Sequence, residues 1–488
     1  MQKQFFSSLF LTILLNLLVK PIAIFLIDAT VQNRVGQAEY GLYFTLLNLT
    51  VIFNIFLDFG INNYTTKTIA QNTHNSTSYF GNLMAFRFVL FIIYCIVIFL
   101  FALLLGYKWR EFYLLLFLVF NQLLILSIAF FRSHFTGLHL FKTDAVISIM
   151  DRGLLILIAG SILFVFTSDT SRIEWFIYTQ TLCYLLTFFI AIFLLRKKNI
   201  GPFLLWDFNF SMSIVKKSLP YALLILLMIL YNRSDVVILE RFHSNGRVEA
   251  GYYAQGFRLL DAVYMFGMIF AGLLYPMFSR LLKESKKEVV ALLKTAGNLL
   301  IGGAIVLVII STFNARWLLS LLYDNVQTTA VFSFCFLIIC FIPISMNFIF
   351  GTLLTASGRL KTLNIISFFG VLINFTSNAL LIPSIGAKGA AISALITQCF
   401  VAGIQFYYAY QSIQLNITPK ALLSYVYLVS ILLLSGFFSM YFGLDHGLAA
   451  LMQLLLGGLL LFIFSFINLK NIKNILIIKE ETNNYPIN

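Results

Sequence analysis

Two neighbouring apolar runs each carry an arginine and an aspartate well inside them: Arg233 and Asp235 in the first, Arg258 and Asp261 in the second. Both runs belong to the stretch Leu219–Pro276, in which two long apolar segments are joined by a short polar turn. Each segment is long enough to cross a bilayer, which takes about 20 residues. At roughly 1.5 Å of rise per residue, Arg233 lies about 22 Å along its helix from Ser218, and Arg258 about 10 Å along the return helix from Gly251. In a hydrocarbon core about 30 Å thick, a tight hairpin brings both to similar depth, in the outer third. Charge there is costly in lipid, so two readings stand: a polar cavity that uses the charge, or mutual neutralisation that only locks the hairpin.

The elements that must position these residues are membrane helices. Hydrophobic residues make up 60% of the 488, charged residues 11%, and mean hydropathy is +0.93. Those values lie outside the range of soluble domains and imply a polytopic, all-α integral membrane protein. Fourteen candidate spans run from 5–31 to 447–468, among them 41–63, 218–239, 251–275, 362–383 and 387–411. The first is expected to be a retained helix, since no small-residue cleavage site follows a short core. The five cysteines all fall inside apolar runs, at spacings that match no metal site. No phosphate-cradling glycine loop, nucleophile motif or His/Glu cluster appears, so neither a metal nor a cofactor is implied, and no polar insertion is long enough for a catalytic domain.

The distribution of Lys and Arg sets an expected orientation. Taking the N-terminus and every second connection as one side gives 19 cations there and 8 on the other, so both termini are expected to be cytoplasmic. The remaining cations, Lys20, Arg87, Arg152, Arg233, Arg258 and Lys294, fall within spans. The net charge of +14 is thus mostly topology plus a few buried cations, and nucleic acid is not an expected partner.

An internal repeat divides the chain. Gly36, Glu39, Gly41 and Tyr43 follow the first span, and Gly246, Glu249, Gly251 and Tyr253 follow the seventh, at an offset of 210. A weaker echo pairs Phe141-Lys142-Thr143 with Leu360-Lys361-Thr362. The expected organisation is a first lobe over 1–200, a second over 210–415, two extra helices over 416–470 and a cytoplasmic tail over 471–488. Repeats of an even number of helices share one orientation, as in transporters whose site lies between the halves.

The stretches RVGQAEYGLYFTLLNL, FLDFGINN, YYAQGFRLLDAV, LLYPMFSRL, TASGRLKTLNIIS and INFTSNALLIPSIGAKGAAISALITQ resemble the polysaccharide-transporter branch of the multidrug/oligosaccharidyl-lipid/polysaccharide exporter superfamily, over roughly residues 10–410. The resemblance implies two six-helix lobes around a V-shaped central cavity. It also implies an O-antigen or capsule flippase of the bacterial inner membrane, moving an undecaprenyl-pyrophosphate-linked oligosaccharide between leaflets. Polysaccharide polymerases and glycosyltransferases are the implied partners of such a flippase, which is expected to be a monomer surrounded by lipid.

Such cargo suits the buried cations. A pyrophosphate carries about two negative charges, which Arg and Lys hold by charge-assisted hydrogen bonds, Arg bidentately. Lys20, Arg233 and Arg258 are the first candidates to line the cavity. Arg87, Arg152 and Lys294 extend the ladder at the inner ends of their spans, where snorkelling to the interface is the alternative. Asp235 and Asp261 are candidates to couple an H⁺ or Na⁺ gradient, or else to hold the arginines. Asp28 and Asp58 are expected to be solvated caps, and Tyr231, Tyr253 and Tyr264 to offer rings to sugars. Competing functions are a multidrug exporter, a lipid II flippase and a membrane glycosyltransferase or polymerase. The arginines disfavour cationic drugs, and the short connections disfavour an enzyme.

Overall fold

The computed structural model describes residues 15–59, 76–138, 140–165, 172–197, 207–414, 419–464 and 466. The expected start of the first span, the end of the second (60–63) and the tail over 471–488 lie outside these residues. Every regular element among the described residues is helical. The helices are α1 (Leu15–Val35), α2 (Gln37–Ile52), α3 (Ser76–Leu104), α4 (Trp109–Gly137), α5 (Phe141–Phe164), α6 (Glu174–Arg196) and α7 (Phe208–Phe242). They continue with α8 (Gly246–Glu284), α9 (Lys286–Phe313), α10 (Thr328–Ala356), α11 (Leu360–Ile413), α12 (Pro419–Tyr441) and α13 (His446–Ile463).

Twelve described helices are long and apolar enough to cross a membrane. One of them, α11, has 54 residues and would be roughly 80 Å long if straight, far beyond a core of about 30 Å. It is broken at Gly386, where φ is +56° and ψ −131°, a conformation open to glycine and strained for other residues. The break falls between the expected spans 362–383 and 387–411, so α11 supplies both. Glu249 fits beneath Gly386, where a Cβ would meet Oε2 at 2.5 Å, and its carboxylate accepts a hydrogen bond from the Ala387 N–H at 2.8 Å. This caps the second half of α11. The 16 residues of α2, with the turn Ile55–Asp58, occupy the place of the second span.

Two other helices depart from regular form for identifiable reasons. In α10 the regular α-helix stops at Ile339, four residues before Pro343, whose ring would clash with that carbonyl. A π-turn over Asn347–Gly351 follows. A second π-turn, Ala23–Asp28, lies in α1 just after Pro21 and one turn beyond Lys20.

The chain divides into two compact units. One comprises Met1–Gln255, Leu322–Asn325 and Phe375–Ala390. In it α2 packs along α7, and α4 along α6. A core of Phe86, Leu90, Phe130, Phe131, Phe135 and Leu195 joins α3, α4 and α6. The other unit comprises Gly256–Leu321, Val326–Asn374 and Ala391–Asn488. There α12 and α13 both pack on α9 around Ile305, Val306, Leu432 and Leu460. Asn314 Nδ2 donates to Gln453 Oε1 across that contact at 3.1 Å.

Candidate functional site

In the first unit, α1 and α5 bring two of the expected cations together. Lys20 is half-buried, with Arg152, Asp151 and Arg132 as its charged neighbours. Arg152 lies over the Tyr184 ring, 5.9 Å from its centroid, and pairs with Asp151 at 3.5 Å. Asp28 and Tyr43 also lie within its electrostatic reach. Asp28 is buried rather than a solvated cap, since it lies in the π-turn, inside the span. Arg132 is held by Asp144 through two contacts, at 2.7 and 3.3 Å. Lys20 thus lies within charge range of Arg152, whose guanidinium sits over Tyr184, with Asp151 close by to offset their charge.

A second polar constellation involves α2, α7, α8 and the end of the first half of α11, all within the first unit. Arg233 Nη1 donates to Asn48 Oδ1 at 3.3 Å. Asp235, two residues further on, points to other partners. It is 1% exposed and accepts from Tyr253 Oη at 3.2 Å and Asn378 Nδ2 at 2.7 Å. The expectation that Tyr231 and Tyr253 offer rings to sugars is corrected: both are buried, and the Tyr253 hydroxyl is given to Asp235. Tyr264 packs edge-on against Phe348 in the second unit.

Arg87 is 6% exposed and its Nη2 pairs with Asp58 at 2.5 Å, while Nη1 donates to the Leu126 carbonyl at 2.7 Å. Its guanidinium also stacks over Phe130. Asp58 is accordingly an ion-pair partner and not a solvated cap. Arg258 and Asp261 are half-buried on the part of α8 that belongs to the second unit, three residues apart and hence on one helical face. Lys294, on α9 of the same unit, is exposed. Among the described residues no group of three or more His, Cys, Asp or Glu is placed to hold a metal.

Three features of the site carry little or no signal in single residues. Asn48 and Asn378 are single amides in apolar runs, a weak signal. The glycines of the repeat were visible, but their role was not. A Cβ at Gly41 would run into the Arg247 carbonyl and approach the Gly251 amide, and one at Gly251 would run into the Gln37 carbonyl. The two copies of the motif therefore cross backbone to backbone. Gln32 Nε2 fastens the crossing by donating to the Gly251 carbonyl at 2.8 Å. Beside it lies an ionic cluster: Arg247 reaches Glu111 at 2.5 Å and Glu240 at 3.3 Å, and Arg110 bonds both Glu39 and Glu174. Burial and the Glu240 carboxylate push the Tyr107 hydroxyl well above its usual range.

Buried ion pairs and amides on helices long and apolar enough to cross a bilayer mark a multi-pass membrane protein. Solved structures with this fold agree. A lipid II flippase MurJ in an inward closed conformation matches with a TM-score of 0.73 at 16% identity, over 94% of this chain and 98% of that one. An inward-facing multidrug resistance MATE transporter of the MOP superfamily matches with a TM-score of 0.58 at 13% identity, over 81% and 94%. A MOP-superfamily transporter from Pyrococcus furiosus, described as having a binding pocket of reverse polarity, matches with a TM-score of 0.55 at 13% identity, over 82% and 95%. No curated protein matches the sequence. The profile of the polysaccharide biosynthesis protein family matches residues 6–282, and the chain belongs to that family.

Proposed function

We propose that this protein is a flippase that carries an undecaprenyl-pyrophosphate-linked oligosaccharide, an O-antigen or capsule repeat unit, across the bacterial cytoplasmic membrane by alternating access. The observation that carries this reading is the set of cations held inside spanning helices, with Lys20 near Arg152, Arg152 over Tyr184 and Arg233 on Asn48. An anionic headgroup cannot enter hydrocarbon alone, and Arg and Lys in a shielded polar site replace its water by charge-assisted hydrogen bonds. Arg258, Arg87 and Lys294 complete the candidate path. The two six-helix lobes expected from the repeat belong to the same reading. Asp235, buried and hydrogen-bonded on two sides, is the favoured coupling acid for an ion gradient, and Asp261 the second candidate. No step calls for covalent catalysis by the protein.

The test is flipping of a fluorescent undecaprenyl-pyrophosphate oligosaccharide in proteoliposomes, read by accessibility to an outside quencher. Wild type is expected to move the lipid, and Arg233→Ala and Arg258→Ala to fail while folding normally. Mutants that match wild type would make both arginines structural and shift the site to Lys20 and Arg152. The likeness to the lipid II flippase favours lipid II as a second cargo. Transport of lipid II but not of a pyrophosphate-linked oligosaccharide without peptide would select it. A multidrug exporter is disfavoured, because cations inside the spans repel organic cations.

A further inference from the structure

The ends of the spans that bear Arg34, Lys108, Arg110, Arg241 and Arg247 are tied by two loops that mirror each other. In the second half of the sequence, the connection between α9 and α10 returns to α1. Asn33 Nδ2 donates to the Leu322 carbonyl at 3.0 Å, and Asn33 Oδ1 accepts from the Asp324 N–H at 3.3 Å. In the first half, the equivalent connection between α3 and α4 reaches the end of α7. Tyr107 Oη donates to Glu240 at 3.5 Å, and the Arg241 guanidinium lies over the Tyr107 ring at 3.7 Å. The repeat offset carries Asn33 to His243, two residues past Arg241. Each half thus extends the loop after its third span onto the end of the other half's first span. Between the two straps lies the Gly41–Gly251 crossing.

All these contacts are within the first unit, which takes in Leu322–Asn325 although the residues flanking them belong to the second. The bonding is also of a kind that lets go. Asn33 holds its strap by two hydrogen bonds between its side-chain amide and backbone, and Asp324 is exposed to water that can replace the second. Arg247, which braces the other side, is 41% exposed, so water can reach its guanidinium while Glu111 and Glu240 stay buried. The glycine crossing brings the backbones of the two motif copies into direct contact.

We propose that these reciprocal straps are the seal of the cation-poor face, and that both release together when that face opens. The inference rests on the alternating-access reading above, but its test does not require the cargo. The five native cysteines are replaced by alanine, and spin labels are placed at Arg34 with Asp324, or at Lys108 with Phe242, all exposed positions beside the straps. Distances are read by double electron–electron resonance in lipid nanodiscs. Wild type is expected to give a dominant short distance and a minor long one at both pairs. Asn33→Ala, which touches only the first strap, is expected to raise the long fraction at least threefold at both pairs. Tyr107→Phe, which touches only the second, is expected to do the same. Loosening confined to the mutated strap, or no change at either, overturns the coupled seal. Coupled opening in a protein that moves no lipid-linked oligosaccharide leaves the seal standing and removes the cargo assignment.

Discussion

Arginine occurs in these helices in two settings that mutation separates. Arg87 is buried, with Asp58 on one amino group and the Leu126 carbonyl on another. Removing one member of such a pair leaves an uncompensated charge, and the expected loss is about 3–5 kcal/mol. Arg87→Ala is therefore expected to lower the thermal midpoint in detergent sharply, and Arg87→Met with Asp58→Leu to recover much of it. Recovery of nothing by the double variant would mean that the Leu126 and Phe130 contacts dominate. Arg233 is half-buried where Arg87 is buried, so Arg233→Ala is expected to cost less stability than Arg87→Ala and to remove transport. Asp235 combines the two settings. Its carboxylate takes hydrogen bonds from Tyr253 and Asn378, and Asp235→Ala orphans both donors at a cost of about 1–3 kcal/mol each. Asp235→Asn keeps the shape but loses the ionisable group. If this acid couples transport to a gradient, the amide variant flips lipid downhill and no longer responds to an imposed pH or Na⁺ gradient. A full gradient response in Asp235→Asn would move coupling to Asp261.

Among the elements, the glycine crossing makes the sharpest demand on sequence. The atoms that a Cβ at Gly41 or Gly251 would meet are backbone atoms of Arg247 and Gln37, which cannot rotate away. Gly41→Ala and Gly251→Ala are each expected to destabilise by roughly 1–3 kcal/mol, as overpacking does. Gly297→Ala on α9 meets nothing within 4 Å and is expected to be neutral or slightly stabilising, through the lower entropy of its unfolded chain. Thermal midpoints of the three variants check this, and equal stability at Gly41 and Gly297 would refute the close crossing. The contrast also shows what the sequence can convey about elements. Hydropathy marks the spans because length and burial in lipid write themselves into composition, and the break of α11 was announced by PSIGAKG. Pro343 signalled the stop at Ile339, since a proline ring acts four residues back. The π-turns of α1 and α10 depend on how turns pack, and no local pattern announced them. The repeat glycines were legible as a motif, but a backbone crossing between segments 210 residues apart is a tertiary fact. For the same reason Lys20 and Arg152 are legible as intramembrane cations, while their proximity is not.

For the whole molecule, the direction of transport depends on which face carries the straps. Lys and Arg divide 19 to 8 between the two sets of connections, and the poorer set includes Arg110, Arg241 and Arg247, all engaged by glutamates. Cations near span ends resist translocation, so the richer face is expected to stay in the cytoplasm. Both termini are then expected inside, with the straps on the outer face. Two measurements check the assignment independently of transport. A fluorescent protein fused after Asn488 is expected to fluoresce in cells, whereas alkaline phosphatase at the same position is expected to be inactive. A single cysteine at Lys108, which is exposed, is expected to react with a membrane-impermeant maleimide added to intact spheroplasts, and one at Lys283 to react only after lysis. The reverse pattern would place the straps on the cytoplasmic face. Opening them would then admit cargo instead of releasing it, and Arg258 with Asp261 would lie towards the inner leaflet, the opposite of the depth order on which the proposed path for the headgroup depends.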